Sequence, residues 1–210
     1  MPYTIASDTL RALLAEDGVA VPDEAEARLA AYCALVREWN GFASLVSRRD
    51  AALLESDHIP DALSLAGYVR RYAGAGPWLD VGSGGGFPAV PVKIVVPEAP
   101  LVLIERNAKK VGFLRKVIGA LGLEGVELRH GSYPEGARDI VPSVLTARAV
   151  ENPGKLRRPW AEGVAGGAIF LCQSRVKWDD AHEMFHVEHV DDRWKTCRLR
   201  RGDLVIVRRA

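Results

Sequence analysis

The stretch that most constrains the fold is Leu79-Asp-Val-Gly-Ser-Gly-Gly-Gly-Phe-Pro88. A short apolar run enters a cluster of glycines and leaves at a proline, a residue suited to the first turn of a helix. Gly82, Gly84 and Gly86 let the chain turn tightly and let a ligand approach the backbone. Further short apolar runs follow at 100–105, 126–129, 144–147 and 168–172, with helical stretches between most of them. The clearest of these helices is 108–121. It puts Val111, Leu114, Val117, Ile118 and Leu121 on one face, and Lys109, Lys110, Arg115 and Lys116 on the others. Strands alternating with helices predict an α/β fold, with a Rossmann-like, mostly parallel, doubly wound sheet. Residues 193–199 and 204–208 predict a closing hairpin that turns at Gly202-Asp203 and ends the sheet with an antiparallel strand.

Residues 1–75 read differently, as helices. Ser7 or Asp8 caps the first and Gly18 ends it. Pro22-Asp23 opens a second, where Leu29, Cys33, Val36 and Trp39 form an apolar stripe that fades near Gly41. Trp39 is expected in the core. Shorter helices follow at 50–57 and 60–73. Tyr72-Ala-Gly-Ala-Gly-Pro77 is a break in composition. It divides the chain into an N-terminal helical extension, 1–75, and a ligand-binding core, 76–210. No internal repeat or low-complexity tract is present.

No apolar run is long enough to span a bilayer. The N-terminus lacks the basic-then-apolar layout of a secretory signal. The three cysteines, Cys33, Cys172 and Cys197, are far apart and odd in number. They suggest neither a disulfide framework nor a cysteine zinc site. A reduced cytoplasm is the expected location, away from membranes. The formal net charge of +1 argues against a chain that grips nucleic acid by bulk charge. The cations are nevertheless grouped: Arg48-Arg49, Arg70-Arg71, 106–116, 155–158 and 198–201.

Two acids give the glycine loop its chemistry. Asp80 precedes it within the strand, and Glu105 ends the next strand about twenty residues beyond the loop. A carboxylate there can accept hydrogen bonds from both hydroxyls of a ribose. Dinucleotide enzymes use G-x-G-x-x-G to bring a pyrophosphate to a helix N-terminus. S-adenosylmethionine enzymes use a shorter glycine run after an acid, and Asp80-Val-Gly-Ser-Gly fits that pattern better.

A second motif lies near the C-terminus. His182, Glu183 and His186 spell H-E-x-x-H, the zinc-protease pattern, with His189 close by. A catalytic zinc needs a third ligand. The longer metzincin continuation is absent, and few residues remain, so no catalytic metal is expected, and adventitious metal binding by His182, His186 and His189 is the alternative left open. Met184-Phe-His-Val-Glu-His189 can be encoded by ATG TTC CAC GTG GAA CAC. That run contains the palindrome TGTTCCACGTGGAACA, which resembles centromere-like sites bound by chromosome-partition proteins. On this reading the residues reflect a DNA site within a permissive surface segment.

From about residue 35 to residue 175 the chain resembles the RsmG (GidB) family of bacterial methyltransferases. Trp39-Asn40 with Leu45-x-Ser47-x-x-Asp50 is similar to the family's W-N-x-x-x-N-L-T-S-x-R-D. His58-Ile-Pro-Asp61 is similar to its R-H-x-x-D-S, and residues 80–88 to D-V-G-T-G-x-G-x-P-G. Glu105-Arg-Asn-Ala-Lys-Lys110, Phe113-Leu-Arg-Lys116 and Arg148-Ala149 continue the match in order. The departures are Ser44 and Val46 in N-L-T-S, Asp57 and Ala62 around His58 and Asp61, 131–135 after the third strand, and Gln173-Ser174 in place of Lys-Gly.

The resemblance implies methyl transfer from S-adenosylmethionine to N7 of a guanine in 16S rRNA. The partner would be that RNA or the small ribosomal subunit, and the chain a monomer. It implies a cofactor site of Asp80, Gly82, Ser83, Gly84, Gly86, Phe87, Glu105, Arg106, Ser132 and Arg148, with Arg148 also the catalytic residue. Arg148 would reach guanine acceptors or RNA phosphate, or else pair with a carboxylate such as Glu151. His58 and Asp61, one helical turn apart, would line the substrate mouth or tie the helical extension to the core. The alternatives are a lapsed enzyme kept as an RNA- or ribosome-binding module, a small-molecule methyltransferase, and, last, a metalloprotease.

Overall fold

A computed structural model describes residues 7–15, 17–148, 167–174, 197–199 and 202–208. Strands β1 (Trp78–Val81), β2 (Leu101–Glu105), β3 (Val126–His130), β4 (Val144–Arg148) and β5 (Ile169–Ser174) are parallel neighbours. Two more, β6 (Cys197–Leu199) and β7 (Gly202–Arg208), pair antiparallel and close the sheet as expected, with β7 antiparallel to β5, but Gly202 and Asp203, expected at the turn, lie in the ladder opposite Leu199 and Arg198. The order is β3-β2-β1-β4-β5-β7-β6. It reverses direction between β1 and β4, so a crevice opens there at the strands' carboxyl ends, the usual ligand position in such sheets.

Burial explains the strand sequences. Leu101-Val-Leu-Ile-Glu105 is buried throughout, as befits a strand covered on both faces. β3 is an edge strand, and Glu127, Arg129 and His130 keep it polar. Arg129 there forms ion pairs with Glu127 and Asp139.

The N-terminal helices are α1 (Ser7–Ala15), α2 (Ala25–Ala43), α3 (Arg48–Ala51), α4 (Ile59–Leu63) and α5 (Ala66–Tyr72). Gly18, in left-handed backbone, ends the first as expected, and the Val19 N–H returns to the Leu14 carbonyl. The expected helix at 50–57 is instead α3 followed by a π-helical turn, Leu54–His58. The expected helix at 60–73 is split into α4 and α5. Two core helices complete the described set: α6 (Ala89–Val95) and α7 (Ala108–Ala120).

One large apolar cluster joins α1, α2, α4, α5, α6 and α7 to the sheet face bearing Trp78, Leu101, Leu103, Val144, Ile169 and Leu171. Each large side chain fully buried there is worth about 1.5–3 kcal/mol. The opposite face gathers Leu79, Val102, Ile104, Leu145, Ala147, Phe170 and Cys172 around Ala137. Trp39 is half-buried at the edge of the larger cluster, against Phe42 and Phe113. Among the described residues no helix is long and apolar enough to cross a membrane.

Candidate functional site

The glycine loop leaves β1 and is pinned from three sides. From below, the N–H groups of Gly82 and Ser83 both donate to the Ile104 carbonyl, at 2.9 and 3.0 Å. From the side, Glu105 Oε2 accepts the Gly84 N–H at 2.8 Å, while Oε1 accepts the Asn107 N–H at 2.7 Å. From the helical layer, the buried Tyr32 hydroxyl donates to the Gly85 carbonyl at 2.5 Å. Burial holds the Tyr32 phenol well above its ordinary pKa, so it remains a neutral donor.

The loop needs its glycines for two different reasons. Gly82, Gly84 and Gly86 all have φ between +55° and +86°, a region other residues enter at a cost. A side chain on Gly86 would also meet Val90 Cγ2 at 2.7 Å and Tyr32 Oη at 3.1 Å. At Gly82 nothing stands within 4 Å of where a Cβ would lie. Gly86 is therefore glycine for packing, while Gly82 leaves an open approach to the backbone.

Asp80 lies beneath the loop, 1% exposed. The Trp78 indole N–H donates to Thr146 Oγ1 at 2.9 Å, and the Thr146 hydroxyl donates to Asp80 Oδ1 at 2.5 Å. Asp80 Oδ2 is buried with no hydrogen-bond partner. Burial pushes the carboxyl up to about 7, against the opposing effects of the Thr146 and Ser83 hydroxyls.

Arg148 ends β4, one residue beyond Ala147, the register partner of Val81. Its Nη2 lies 2.6 Å from His58 Nδ1, and its guanidinium carbon lies 5.3 Å from the centre of the Phe87 ring. His58 packs on the same ring at 5.4 Å, and its Nε2 is 3.9 Å from Asp50 Oδ1. The second β-strand of this half contributes Gln173, whose amide N–H donates to the Asp61 carbonyl. His58 and Asp61 thus tie the helical layer to the ends of β4 and β5. Glu151, the alternative partner for Arg148, lies outside the described residues, as do His182, Glu183, His186 and His189. Among the described residues no group of His, Cys, Asp and Glu could hold a metal ion.

Arg106 and Ser132 are exposed beyond the ends of β2 and β3. The ten residues expected to hold a cofactor therefore all stand at the carboxyl ends of β1 to β4 or in the loops that follow. Sequence reasoning passed over Tyr32, Thr146 and Asn107. The last had a legible signal, because it is an Asn directly before a helical run. Its Oδ1 caps α7 by accepting from the N–H groups of Lys109 and Lys110.

The GidB family, rRNA small subunit methyltransferase G, matches residues 25–192. The chain belongs to this family. It is 36% identical over 142 residues to the ribosomal RNA small subunit methyltransferase G of Neisseria meningitidis serogroup C, covering 68% of this chain and 67% of that one. It is 35% identical over 176 residues to ribosomal RNA small subunit methyltransferase G 1 of Syntrophobacter fumaroxidans, covering 81% and 79%. In fold it is similar to a methyltransferase from Geobacter sulfurreducens, with TM-score 0.58, 18% identity, and 98% and 100% of the two chains covered. It is also similar to an RNA methyltransferase from Salinibacter ruber in complex with S-adenosyl-L-homocysteine, with TM-score 0.51, 20% identity, and 71% and 88% covered. Two positions where this GidB-family chain departs from the motifs now have a place. Ser44 is the left-handed residue that closes α2, at φ 49°, and Gln173 is the buried amide beside Arg148.

Proposed function

We propose that this chain transfers a methyl group from S-adenosylmethionine to N7 of a guanine in 16S rRNA of the small ribosomal subunit. The observation that carries the reading is the pairing of two half-sites at the sheet's switch point. Asp80, the glycine loop and Glu105 stand on one side, and Arg148 stands on the other.

The residues present fit the cofactor. Asp80 Oδ2 is a buried oxygen without a partner, and it places carboxylate character under a loop that would meet a cationic ligand. Gly82 leaves its backbone accessible. Each Glu105 oxygen is engaged by one N–H and keeps a second lone pair for a ribose hydroxyl. Ser83, Gly84, Gly86 and Phe87 complete the cradle, with Arg106 and Ser132 at its outer rim. When bound, S-adenosylmethionine supplies a methyl group activated by a positively charged sulfur.

Guanine N7 carries its lone pair in the plane of the ring, so the acceptor needs no general base. The chain's task is then to bind, orient and hold charge in place. Arg148, steadied by His58 and the Phe87 ring, is the catalytic residue, set to contact the guanine edge. RNA phosphates would meet exposed cations around the mouth, among them Arg48, Arg49, Arg106 and Lys109. The chain is read as a cytoplasmic monomer. Its described thiols, Cys33 and Cys172, are free and buried.

The test is methyl transfer from labelled S-adenosylmethionine to small subunits that lack the modification, followed by nucleoside analysis. Labelled 7-methylguanosine is the expected product. Label in another nucleoside, or none, would overturn the assignment of the acceptor.

A further inference from the structure

Large apolar side chains exposed among the described residues are Leu13, Val141 and Phe42, and Phe42 is the most exposed, at 60%. It is the next-to-last residue of α2, and two separate ties fix it beside the glycine loop. Asn40 Oδ1 accepts the N–H groups of Leu45 and Val46, each at 2.9 Å. Leu45 in turn packs on the loop, its Cβ 3.3 Å from where a side chain on Gly85 would begin. On the other side, the Lys109 ammonium lies 4.6 Å from the centre of the Phe42 ring. Lys109 opens α7, and the Asn107 that caps this helix donates its own N–H to Glu105. The ring therefore sits where α2 and α7 both reach the cofactor loop.

The ring is also backed from within. Phe42, Trp39 and Phe113 step from the surface to the core, with ring centres 6.1 and 6.0 Å apart, and Phe113 is fully buried. Such backing lowers the ordering cost for a partner that lies on the ring. The surroundings are cationic. α7 carries Lys109, Lys110, Arg115 and Lys116 and no acid, and Arg106 stands just ahead of it. The turn after Phe42 leads to Arg48 and Arg49. Glu38, one turn back on α2, is the nearest acid along the chain. An exposed aromatic ring and a lysine at the positive end of a helix are both unfavourable for the folded chain alone. Side by side they match one occupant: a nucleobase, whose flat face stacks on the ring, joined to a phosphate, whose charge meets the ammonium.

We infer that Phe42 is a stacking platform for an unpaired base of the RNA substrate, with Lys109 beside it for the adjoining phosphate. The stacked base is a neighbour of the target and not the target itself. The ring stands on the α7 side of the glycine loop, and α7 follows β2, whereas Arg148 ends β4 on the other side of β1. Stacking on an aromatic ring tolerates any base, because every base has a flat face. It does demand a single strand, since a paired base keeps its faces inside its own helix. The platform thus holds a strand in place at the crevice without reading its sequence.

The inference rests on the rRNA-methyltransferase reading, and the test separates the two. A fluorescein-labelled oligoadenylate of about fifteen nucleotides is titrated with the whole chain, with Phe42→Leu and with Phe42→Trp. Phe42→Leu keeps an apolar side chain and every charge. It should weaken binding of the single strand about 5-fold or more, and Phe42→Trp should hold it within about 2-fold of the parent. Binding of the same strand annealed to oligouridylate, the slope of affinity against salt, and S-adenosylmethionine affinity should not move. Equal binding by all three chains, or no binding by the unaltered chain, overturns the platform. So does a loss in Phe42→Leu that Phe42→Trp shares, or that comes with a fall in S-adenosylmethionine affinity, because the ring would then only clasp α2 to α7. Methyl transfer to small subunits is measured alongside. If 7-methylguanosine forms but strand binding ignores Phe42, the platform falls and the methyltransferase reading stands. If strand binding depends on Phe42 as expected but no 7-methylguanosine forms, the platform stands and the guanine-N7 reading falls.

Discussion

At the scale of single residues, Asp80 is the most informative. Its folded-state pKa is raised from 3.8 to about 7 by burial. Between pH 4 and pH 7 the folded chain therefore holds a proton that the unfolded chain has released. Stability from this group falls as pH rises through that window and is flat above it. A three-unit shift corresponds to at most about 4 kcal/mol. Asp80→Asn removes that dependence but buries an amide N–H without an acceptor, at about 1–3 kcal/mol. The variant should be more stable than the parent at pH 8 and less stable at pH 4. Paired chemical-denaturation curves at the two pH values check the crossing. S-adenosylmethionine affinity should fall in the variant at pH 8, where the parent carries the negative charge.

Glycine substitutions sort the loop by cause. Gly86→Ala drives a methyl group into Val90 and the Tyr32 hydroxyl and should cost well over 1 kcal/mol in stability. Gly82→Ala meets open space and carries only the left-handed penalty, about 1 kcal/mol. Its larger effect should be on cofactor affinity. Thermal melts with and without S-adenosylmethionine distinguish the two, and equal losses in both variants would refute the distinction. Ser44 offers the converse. Asn tolerates left-handed backbone better than Ser, so Ser44→Asn should raise stability by a few tenths of a kcal/mol.

At the scale of elements, α7 combines a good start with an unfavourable one. Asn107 caps it, and Asn107→Ala should cost about 1 kcal/mol. Lys109 and Lys110, however, place two positive charges at the positive end of the helix dipole. Replacing them with glutamates should raise the melting temperature slightly. If these lysines serve RNA phosphates, the same change should weaken RNA binding and flatten its salt dependence by about one unit of slope per lost contact. A charge reversal that leaves RNA affinity and its salt slope unchanged would remove this face from the RNA-binding surface.

The elements also show which parts of the fold could be read in advance. Parallel strands buried on both faces are continuous apolar runs, so β1, β2, β4 and β5 stood out, and α7 was placed to within a residue of its end. The segment between α2 and β1 was harder. Its path depends on a π-helical turn ahead of Pro60 and on contacts with strand ends far along the chain, neither of which leaves a periodic trace. The site divides in the same way. Asp80, Glu105 and the glycines are local to one motif and legible. Tyr32 reaches Gly85 across 53 positions and Thr146 reaches Asp80 across 66, and such pairings exist only once the sheet has formed.

At the scale of the molecule, the change in character near residue 75 is not a gap in the packing. The cluster that holds Leu29, Val36 and Ile59 also holds Trp78, Val90 and Leu171. The helical layer roofs the sheet and supplies His58, Asp61 and Tyr32 to the crevice. Unfolding in urea should therefore show a single transition, with tryptophan fluorescence and far-ultraviolet circular dichroism coincident. An early helical transition before loss of the sheet would show that the layer is energetically separable.

The line from the Trp78 indole through the Thr146 hydroxyl to the Asp80 carboxyl has an optical consequence. An indole's emission energy responds to the electric field along its ring, and here a proton leaving Asp80 changes that field through one intervening hydroxyl. The protein thus carries its own voltmeter beneath the cofactor loop. Its reading should change with pH in the unliganded chain, and again, at fixed pH, when a cation settles above the glycines.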